Sequence, residues 1–378
     1  IDGFRFDLFG LIDQVTANQV TKELKEEIDP TIIVYGEPWR AADSPLTDGV
    51  YKGTQKDKGY AVFNDDIRGA IKGGSDDGST GFATGATGKE NDIVTGLWGA
   101  TGSFTNSPTE TINYVTAHDN LNLWDKIIRT QGLDEELKTL AHRIRDGAMI
   151  DDSNVDEAVA AADPYKYVDP DNVFDNETVK RSLLANGIVL TLQGVPFIHA
   201  GDEFLRTKFG DHNSYKSPDS INMIRWENKA KFKPVFDYYE GLMELRRNHP
   251  AFRMDTKEAL INHIQVFKSD GNIVAYALKN YANGDTWKNI IVIYNGNIGS
   301  QTVTIPSELG ATGWNIVVNN TKAGVNTVDT VAGNDITVPG LSMVVLYDEV
   351  REEYVPEATT IETSDRIFAN PNTEVPFF

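Results

Sequence analysis

Thr31-Ile32-Ile33-Val34-Tyr35-Gly36-Glu37-Pro38-Trp39 is an apolar run that ends in a carboxylate, a proline and a tryptophan. Its β-branched and aromatic residues suit a strand, and the proline stops the hydrogen-bond ladder. Upstream, Gly3–Phe9 reads as another strand. A helix from about Ile12 to Ile28 joins the two, with Val20, Leu24 and Ile28 recurring at four-residue spacing. Asp29-Pro30 ends that helix, because proline disfavours helical geometry in its predecessor. Strand, helix and strand in this order predict a parallel pair with a crossover helix.

The alternation continues to about residue 250. Further strands are predicted at Tyr60–Asn64, Asn113–His118 and Val195–His199. A helix from Glu177 to Gln193 puts Val179, Leu183, Leu184 and Ile188 on one face. Gly194 ends it, and Pro196 opens the next strand, where proline is tolerated. Residues 73–102, rich in Gly, Ser, Thr and Asp, read as a long loop over the sheet, of the kind that serves substrate more often than core. Five strands are thus expected where a closed (β/α)8 barrel has eight. The predicted fold is α/β over residues 1–250, the C-terminal portion of a TIM-type barrel holding strands 4–8. Past Pro250 the pattern changes to alternating β runs with no helical segment of any length. They fall at Ile264–Phe267, Ile273–Lys279, Asn289–Tyr294, Thr302–Ile305, Trp314–Val318 and Met343–Tyr347. An antiparallel β-sandwich domain is expected over residues 251–349, and residues 350–378 read as a tail or linker.

Composition narrows the function. With 56 acidic against 35 basic residues, the formal charge of -21 disfavours nucleic acid and anionic membranes as partners. The absence of cysteine rules out disulfides, thiolate zinc sites and cysteine nucleophiles. No apolar run approaches the ~20 residues that span a bilayer. There is no Gly-x-Gly-x-x-Gly fingerprint and no Gly-x-Ser-x-Gly elbow, and the six histidines show no close ligand pair for zinc. Calcium stays open in so acidic a chain, although no EF-hand-like loop is present. Acidic runs such as Ser75-Asp76-Asp77-Gly78 read as solvated turns.

Active sites of such barrels lie at the C-terminal ends of the strands. Three predicted strands end there in a carboxylate, at Asp7, Glu37 and Asp119. In Gly3-Phe4-Arg5-Phe6-Asp7-Leu8, alternation puts Phe4, Phe6 and Leu8 on one face and Arg5 and Asp7 on the other. An arginine and an aspartate on the interior side are costly unless they pair or act, and beside Arg5 the Asp7 carboxyl would stay ionised. Taken alone, the hexapeptide also reads as a structural salt bridge. An aromatic wall beside Glu37 would raise its pKa, which suits a general acid. Trp39 offers a flat face for a sugar ring, and reads equally as cover for the barrel mouth. Tyr114-Val115-Thr116-Ala117-His118-Asp119-Asn120 repeats the pattern, although an isolated His-Asp pair is more often structural. Two carboxylates flanking a glycosidic bond are what retaining hydrolysis needs, and a third can stabilise positive charge in the transition state.

Together, Gly3–Leu8, Gly36-Glu37-Pro38-Trp39 and Val115–Asn120 resemble three signature regions of the α-amylase superfamily of glycoside hydrolases. The resemblance covers residues 1–250, and the sandwich is similar to that superfamily's usual C-terminal domain. It implies that Asp7 is the nucleophile, Glu37 the acid/base and Asp119 the transition-state stabiliser, with Arg5 and His118 around the sugar in subsite −1. Gly36–Trp39 is similar to debranching members. The runs His118–Lys126 and Val195–Lys208, with Asn213-Ser214-Tyr215, resemble type I pullulanases. That likeness implies substrate contacts for Trp39, Asn120, Asn213 and Lys216. Phe63-Asn64-Asp65 and Arg68 match the sixth-strand segment, and read equally as a strand end capping its helix.

The implied activity is retaining hydrolysis of α-1,6-glucosidic branch linkages in pullulan, amylopectin and limit dextrins, through a covalent glucosyl-enzyme. An isoamylase-type, branching or transferring enzyme of the same superfamily is the alternative, as is a non-catalytic α-glucan-binding protein. The chemistry requires no cofactor, and members of the superfamily often bind calcium. The implied partners are an α-glucan and an upstream part of the same enzyme. That part would carry barrel strands 1–3, the first signature region and the tyrosine under the subsite −1 sugar. Ile1 is no initiator methionine and opens no signal peptide, so the chain is expected to be the middle of a longer one. An extracellular bacterial location is expected, with the cytoplasm as the alternative.

Overall fold

The computed structural model describes residues 2–135, 137 and 155–351. The expected tail therefore lies, apart from its first two residues, outside the described residues. Strands β1 (Gly3–Phe6), β2 (Ile33–Gly36), β3 (Ala61–Phe63), β4 (Thr111–Asn113) and β5 (Val195–Pro196) form one parallel sheet in chain order. The first pair runs in register from Gly3 opposite Ile33 to Phe6 opposite Gly36. Each strand is shorter than its apolar run predicts. The fourth also lies earlier: Asn113–His118 was the expectation, and Thr111–Asn113 is the strand. The chain leaves the sheet at Tyr114, whose hydroxyl is held by Arg68 Nη1 at 3.0 Å.

The helix after β1 also departs from its expected face. Ala17 and Thr21 are buried, Val20 and Leu24 only half-buried, and Ile28 is 72% exposed. The α-helix Gln14–Glu23 passes into a π-turn at Leu24–Ile28, closed by Asp29 N–H on Leu24 O. That wider turn carries Ile28 off the stripe that a uniform four-residue spacing predicts. Residues 73–102 are not one loop, since a helix at Glu90–Leu97 buries Ile93 and Leu97. The helix Glu177–Thr191 forms as its periodicity predicts, and Asn176 caps it through Oδ1 on Val179 N–H.

Past residue 250, a helix at Lys257–His263 corrects the expectation of an all-strand segment; Thr256 caps it by accepting from Ala259 N–H. Beyond it, β6 (Ile264–Asp270), β7 (Ile273–Leu278), β8 (Ile290–Asn295), β10 (Gly313–Val318), β11 (Asp329–Ala332) and β13 (Ser342–Tyr347) make a six-stranded antiparallel sheet. Strands β9 (Gln301–Thr304) and β12 (Asp335–Val338) pair separately as an antiparallel ribbon. β11 and β12 each carry two polar residues among four and escape a search for apolar runs.

Every residue of β7 and β8 is buried, because both faces of the larger sheet are covered. Ile273, Ala275, Ile291 and Ile293 point to the ribbon, where Val303, Ile336 and Val338 meet them. Val274, Tyr276, Val292 and Tyr294 belong instead to the core that contains Leu184, Ile188 and Ile67. The helix Glu177–Thr191 thus packs against the inner face of the larger antiparallel sheet, next to β8 and β13. A Cβ at Gly187 would stand 3.0 Å from Met343 Sδ, so this glycine is a notch for the β13 methionine. Tyr276 hydroxyl donates to Thr191 O at 2.8 Å, and Asn272 N–H donates to the buried Glu90 carboxylate at 2.6 Å.

Candidate active site

β1 and β2 end level with one another, and Glu37 N–H donates to Phe6 O one step beyond the last paired residues. This carries the register past the strands and brings Asp7 beside Glu37 at the C-terminal edge of the sheet. Two glycines allow the approach. A Cβ on Gly36 would meet the Phe9 ring at 2.6 Å, and one on Gly10 would meet Trp39 O at 2.6 Å. Leu8 adopts a left-handed conformation at φ 45°, rare for a bulky residue, and so aims its N–H at Glu37 Oε2, 2.9 Å away.

The carboxylates differ sharply in environment. Glu37 is 3% exposed, whereas the Asp7 and Asp119 side chains are 59% and 64% exposed. Burial pushes the Glu37 carboxyl above its ordinary range, against the opposing pull of the Leu8 amide and the Arg5 guanidinium. The expected direction is found, with burial as its main cause. Arg5 pairs with Asp7 as expected, Nη2 to Oδ1 at 3.7 Å, and more closely with Glu37 Oε1 at 2.6 Å. The guanidinium also lies over the Phe63 ring, 5.4 Å from its centroid. Phe4, on the other face of β1, is 38% exposed.

His118 arrives from the segment after β4. Its Nε2 lies 3.4 Å from Asp7 Oδ1, 3.9 Å from Glu37 Oε1 and 3.4 Å from Asp119 Oδ1. Its backbone is held by buried Lys208, whose Nζ donates to His118 O and to Ser214 Oγ, each at 3.0 Å. Ligating atoms of Asp7, Glu37 and His118 all fall within 4.8 Å of one another, the only such group among the described residues. Two carboxylates and an imidazole do not suit calcium, which takes six to eight oxygen ligands.

Beside Glu37 opens a cavity of about 310 Å³, whose lining includes Trp39, Phe63, Arg68, Asp119 and Asn120. Trp39 packs on Phe63 at 6.4 Å between centroids. Asn64 caps the helix Asp65–Lys72 by accepting from Ile67 N–H, while Asp65 and Arg68 reach the cavity, so both readings of that segment have a basis. Asn213 and Lys216 lie apart from this lining, exposed around the short Ser214–Lys216 turn.

The acidic run at 75–78 is a clamp rather than a solvated turn. Asp76 accepts from Asn120 Nδ2 at 2.7 Å and from Leu121 N–H at 3.0 Å. Buried Lys126 donates to Asp77 O and Ser79 O, and Arg129 to Asp76 O. Asn120 is thereby fixed in a left-handed conformation at φ 66° on the cavity wall. No local signal marks Asp76, because its partners lie more than forty residues away in sequence.

An acidic pair set at the ends of neighbouring parallel strands, one member buried and one open to solvent, beside an aromatic-walled cavity, is the kind of site found in glycoside hydrolases. Residues 261–322 match the family model described as "Pullulanase, all-beta domain". The chain is 31% identical over 356 residues to the pullulanase of Bacillus subtilis (strain 168), spanning 92% of this chain and 43% of that protein. It superposes on pullulanase from Bacillus acidopullulyticus with a TM-score of 0.77 and 39% identity, over 92% of this chain and 38% of the other. For pullulanase from Paenibacillus barengoltzii in complex with maltohexaose and α-cyclodextrin the TM-score is 0.73 and the identity 32%, over 93% and 48% of the two chains. The chain is homologous to the C-terminal part of type I pullulanases. It spans less than half the length of each of these relatives.

Proposed function

We propose that this chain carries the acid–nucleophile pair of a retaining α-1,6-glucan debranching hydrolase of the pullulanase type. The observation that carries the reading is the close approach of Asp7 and Glu37, with carboxylate oxygens within 4.8 Å. Retaining enzymes hold their carboxyl groups about 5–5.5 Å apart, whereas inverting ones leave about 6.5–9.5 Å for a water. Glu37, with its raised pKa, protonates the glycosidic oxygen as Asp7 attacks the anomeric carbon. The bond to the leaving chain breaks, and a glucosyl ester forms on Asp7. Glu37, now a carboxylate, takes a proton from water, which attacks the same carbon and frees Asp7. Asp119 stabilises the oxocarbenium-like charge, and Arg5 and His118 hold the sugar between the carboxylates. No cofactor enters any step.

In this reading the parallel sheet supplies strands 4–8 of a (β/α)8 barrel, and the partner is an upstream part of the same enzyme. β1 and β5 are edge strands of the described sheet. Apolar side chains near the first edge are exposed, among them Phe4 at 38%, Ile33 at 45% and Leu11 at 45%. Edges of this kind call for a covering strand. The relatives named above are more than twice as long as the segment they share with this chain.

The test is linkage choice. The complete enzyme is expected to cut pullulan to maltotriose and to leave linear amylose nearly untouched, as followed by reducing ends and product chromatography. Rapid cleavage of amylose would replace the debranching reading with an α-amylase-type one.

A further inference from the structure

Lys72 closes the helix Asp65–Lys72 and is 1% exposed, yet it belongs to the lining of the cavity beside Glu37. Among the described residues its ammonium has no hydrogen bond and no ion-pair partner. Lys126 and Lys208, the neighbouring buried lysines, differ in this respect, since each spends its donors on backbone and side-chain oxygens. A lysine brings three donors and no acceptor, and burying it unpaired is costly. Charged groups face it from every side: Arg68 on its own helix, Lys126 from the helix Leu123–Thr130, Asp76 from the clamp loop and Asp202 from the turn after β5. Burial, reinforced by Arg68 and Lys126, pushes its pKa down to about 7.

The cavity has a direction. It is lined by Glu37, Trp39, Asp119 and Asn120, and its lining includes neither Asp7 nor Arg5. In retaining displacement the nucleophile attacks one face of the sugar and the acid protonates the group departing from the other. A space that touches the acid but not the nucleophile lies on the side from which the chain departs, with Asp119 at its border with the subsite −1 sugar.

We infer that Lys72 is a specificity-determining residue of the leaving-group side, where its amine donates a hydrogen bond to a hydroxyl of the α-glucan chain that departs when Glu37 protonates the glycosidic oxygen. The inference rests on the debranching reading above. The ammonium form is the stronger donor, so binding weakens as pH rises through about 7. Asp202, pushed up to about 7 by burial, titrates in the same range but sits behind Thr116, with which it shares a hydrogen bond of 2.8 Å. It does not reach the cavity, whose lining includes Thr116 but not Asp202, and so makes no contact of its own with the departing chain.

The complete enzyme is to be compared on two substrates, pullulan and an aryl α-maltotrioside whose leaving group carries no glucose. Lys72→Met is expected to lower the ratio of kcat/KM for pullulan to that for the aryl substrate about tenfold, through KM, the size of one hydrogen bond of ~1.4 kcal/mol. Lys72→Gln keeps a donor at similar reach and is expected to recover part of that ratio. The rise of KM for pullulan between pH 6 and 8 should vanish in Lys72→Met. A ratio within twofold of wild type, or an equal loss on both substrates, would overturn the inference. So would a pH dependence that persists in Lys72→Met. Failure of the wild-type enzyme to cleave pullulan would instead sink the debranching reading, and this one with it. Lys72→Met is expected to melt no lower than wild type, since the amine has no partner to lose, and Lys72→Gln reports separately if it does.

Discussion

Arg5 lies closer to Glu37 than to Asp7: its Nη2 is 2.6 Å from the buried carboxylate and 3.7 Å from the exposed one. A cation placed there lowers the pKa of the very group whose burial raises it. Burial wins, and Arg5 limits the excess. The nucleophile candidate keeps the longer contact with Arg5 and faces solvent and His118. This division of charge frames the expected behaviour of variants.

Glu37→Gln and Asp7→Asn in the complete enzyme should each lower turnover on pullulan by several orders of magnitude while the fold survives. Both residues act at strand ends, and Asp7 is largely exposed. Steady-state rates with circular dichroism melts check this. A variant keeping more than about a tenth of the wild-type rate would lose its assigned role.

The basic limb of the kcat/KM profile should lie above the ordinary carboxylate range, because Glu37 must hold its proton to act as an acid. Replacing Arg5 with Met removes a group that favours the carboxylate. The limb should then move to still higher pH, alongside a loss of rate from poorer sugar placement. A shift toward lower pH would show that Arg5 does not set the acid.

Asp76→Ala removes the acceptor for Asn120 Nδ2 and Leu121 N–H. Hydrogen bonds to a charged group contribute about 1.5–3 kcal/mol each, less where solvent reaches them. A stability loss of about 2 kcal/mol is expected, with a larger effect on KM than on kcat because the cavity wall at Asn120 loosens. Urea melts and pullulan kinetics give the two numbers independently.

Asp202 predicts a pH dependence of stability. Burial raises its folded pKa from 3.8 to about 7, so the folded chain binds that proton more tightly than the unfolded one. Its contribution is therefore full below about pH 4 and is lost as pH climbs toward 7, by up to about 4 kcal/mol. Asp202→Asn should flatten this slope, seen as a smaller difference between denaturant midpoints at pH 5 and pH 7. An unchanged slope would assign it to other groups.

The sequence makes some of this legible and hides the rest, for physical reasons. Asp7 and Glu37 are visible as candidates because each follows its strand directly, a local feature, and Asp119 because it closes an apolar run, although its strand stops at Asn113. The parallel order of β1 to β5 follows from the same local alternation. Strand lengths do not, since Tyr114 and Val115 are as apolar as strand residues but are buried after the chain has left the sheet. Asp76 and Lys72 are silent for a different reason. An aspartate in a glycine-rich turn and a lysine in the last turn of a helix are ordinary surface choices, the latter favoured by the helix dipole. Only the distant segments folded against them turn one into a clamp and the other into a buried, unpaired amine.

The Gly187 notch that receives Met343 has a consequence for ancestry. A crossover near residue 250 that joined this sheet-and-helix unit to a foreign β-sandwich would leave the notch empty. It would also strand Thr191 O and the Glu90 carboxylate, which Tyr276 and Asn272 now satisfy. Such chimeras would begin with a void and orphaned acceptors at their seam. A successful recombinant should therefore have its junctions elsewhere.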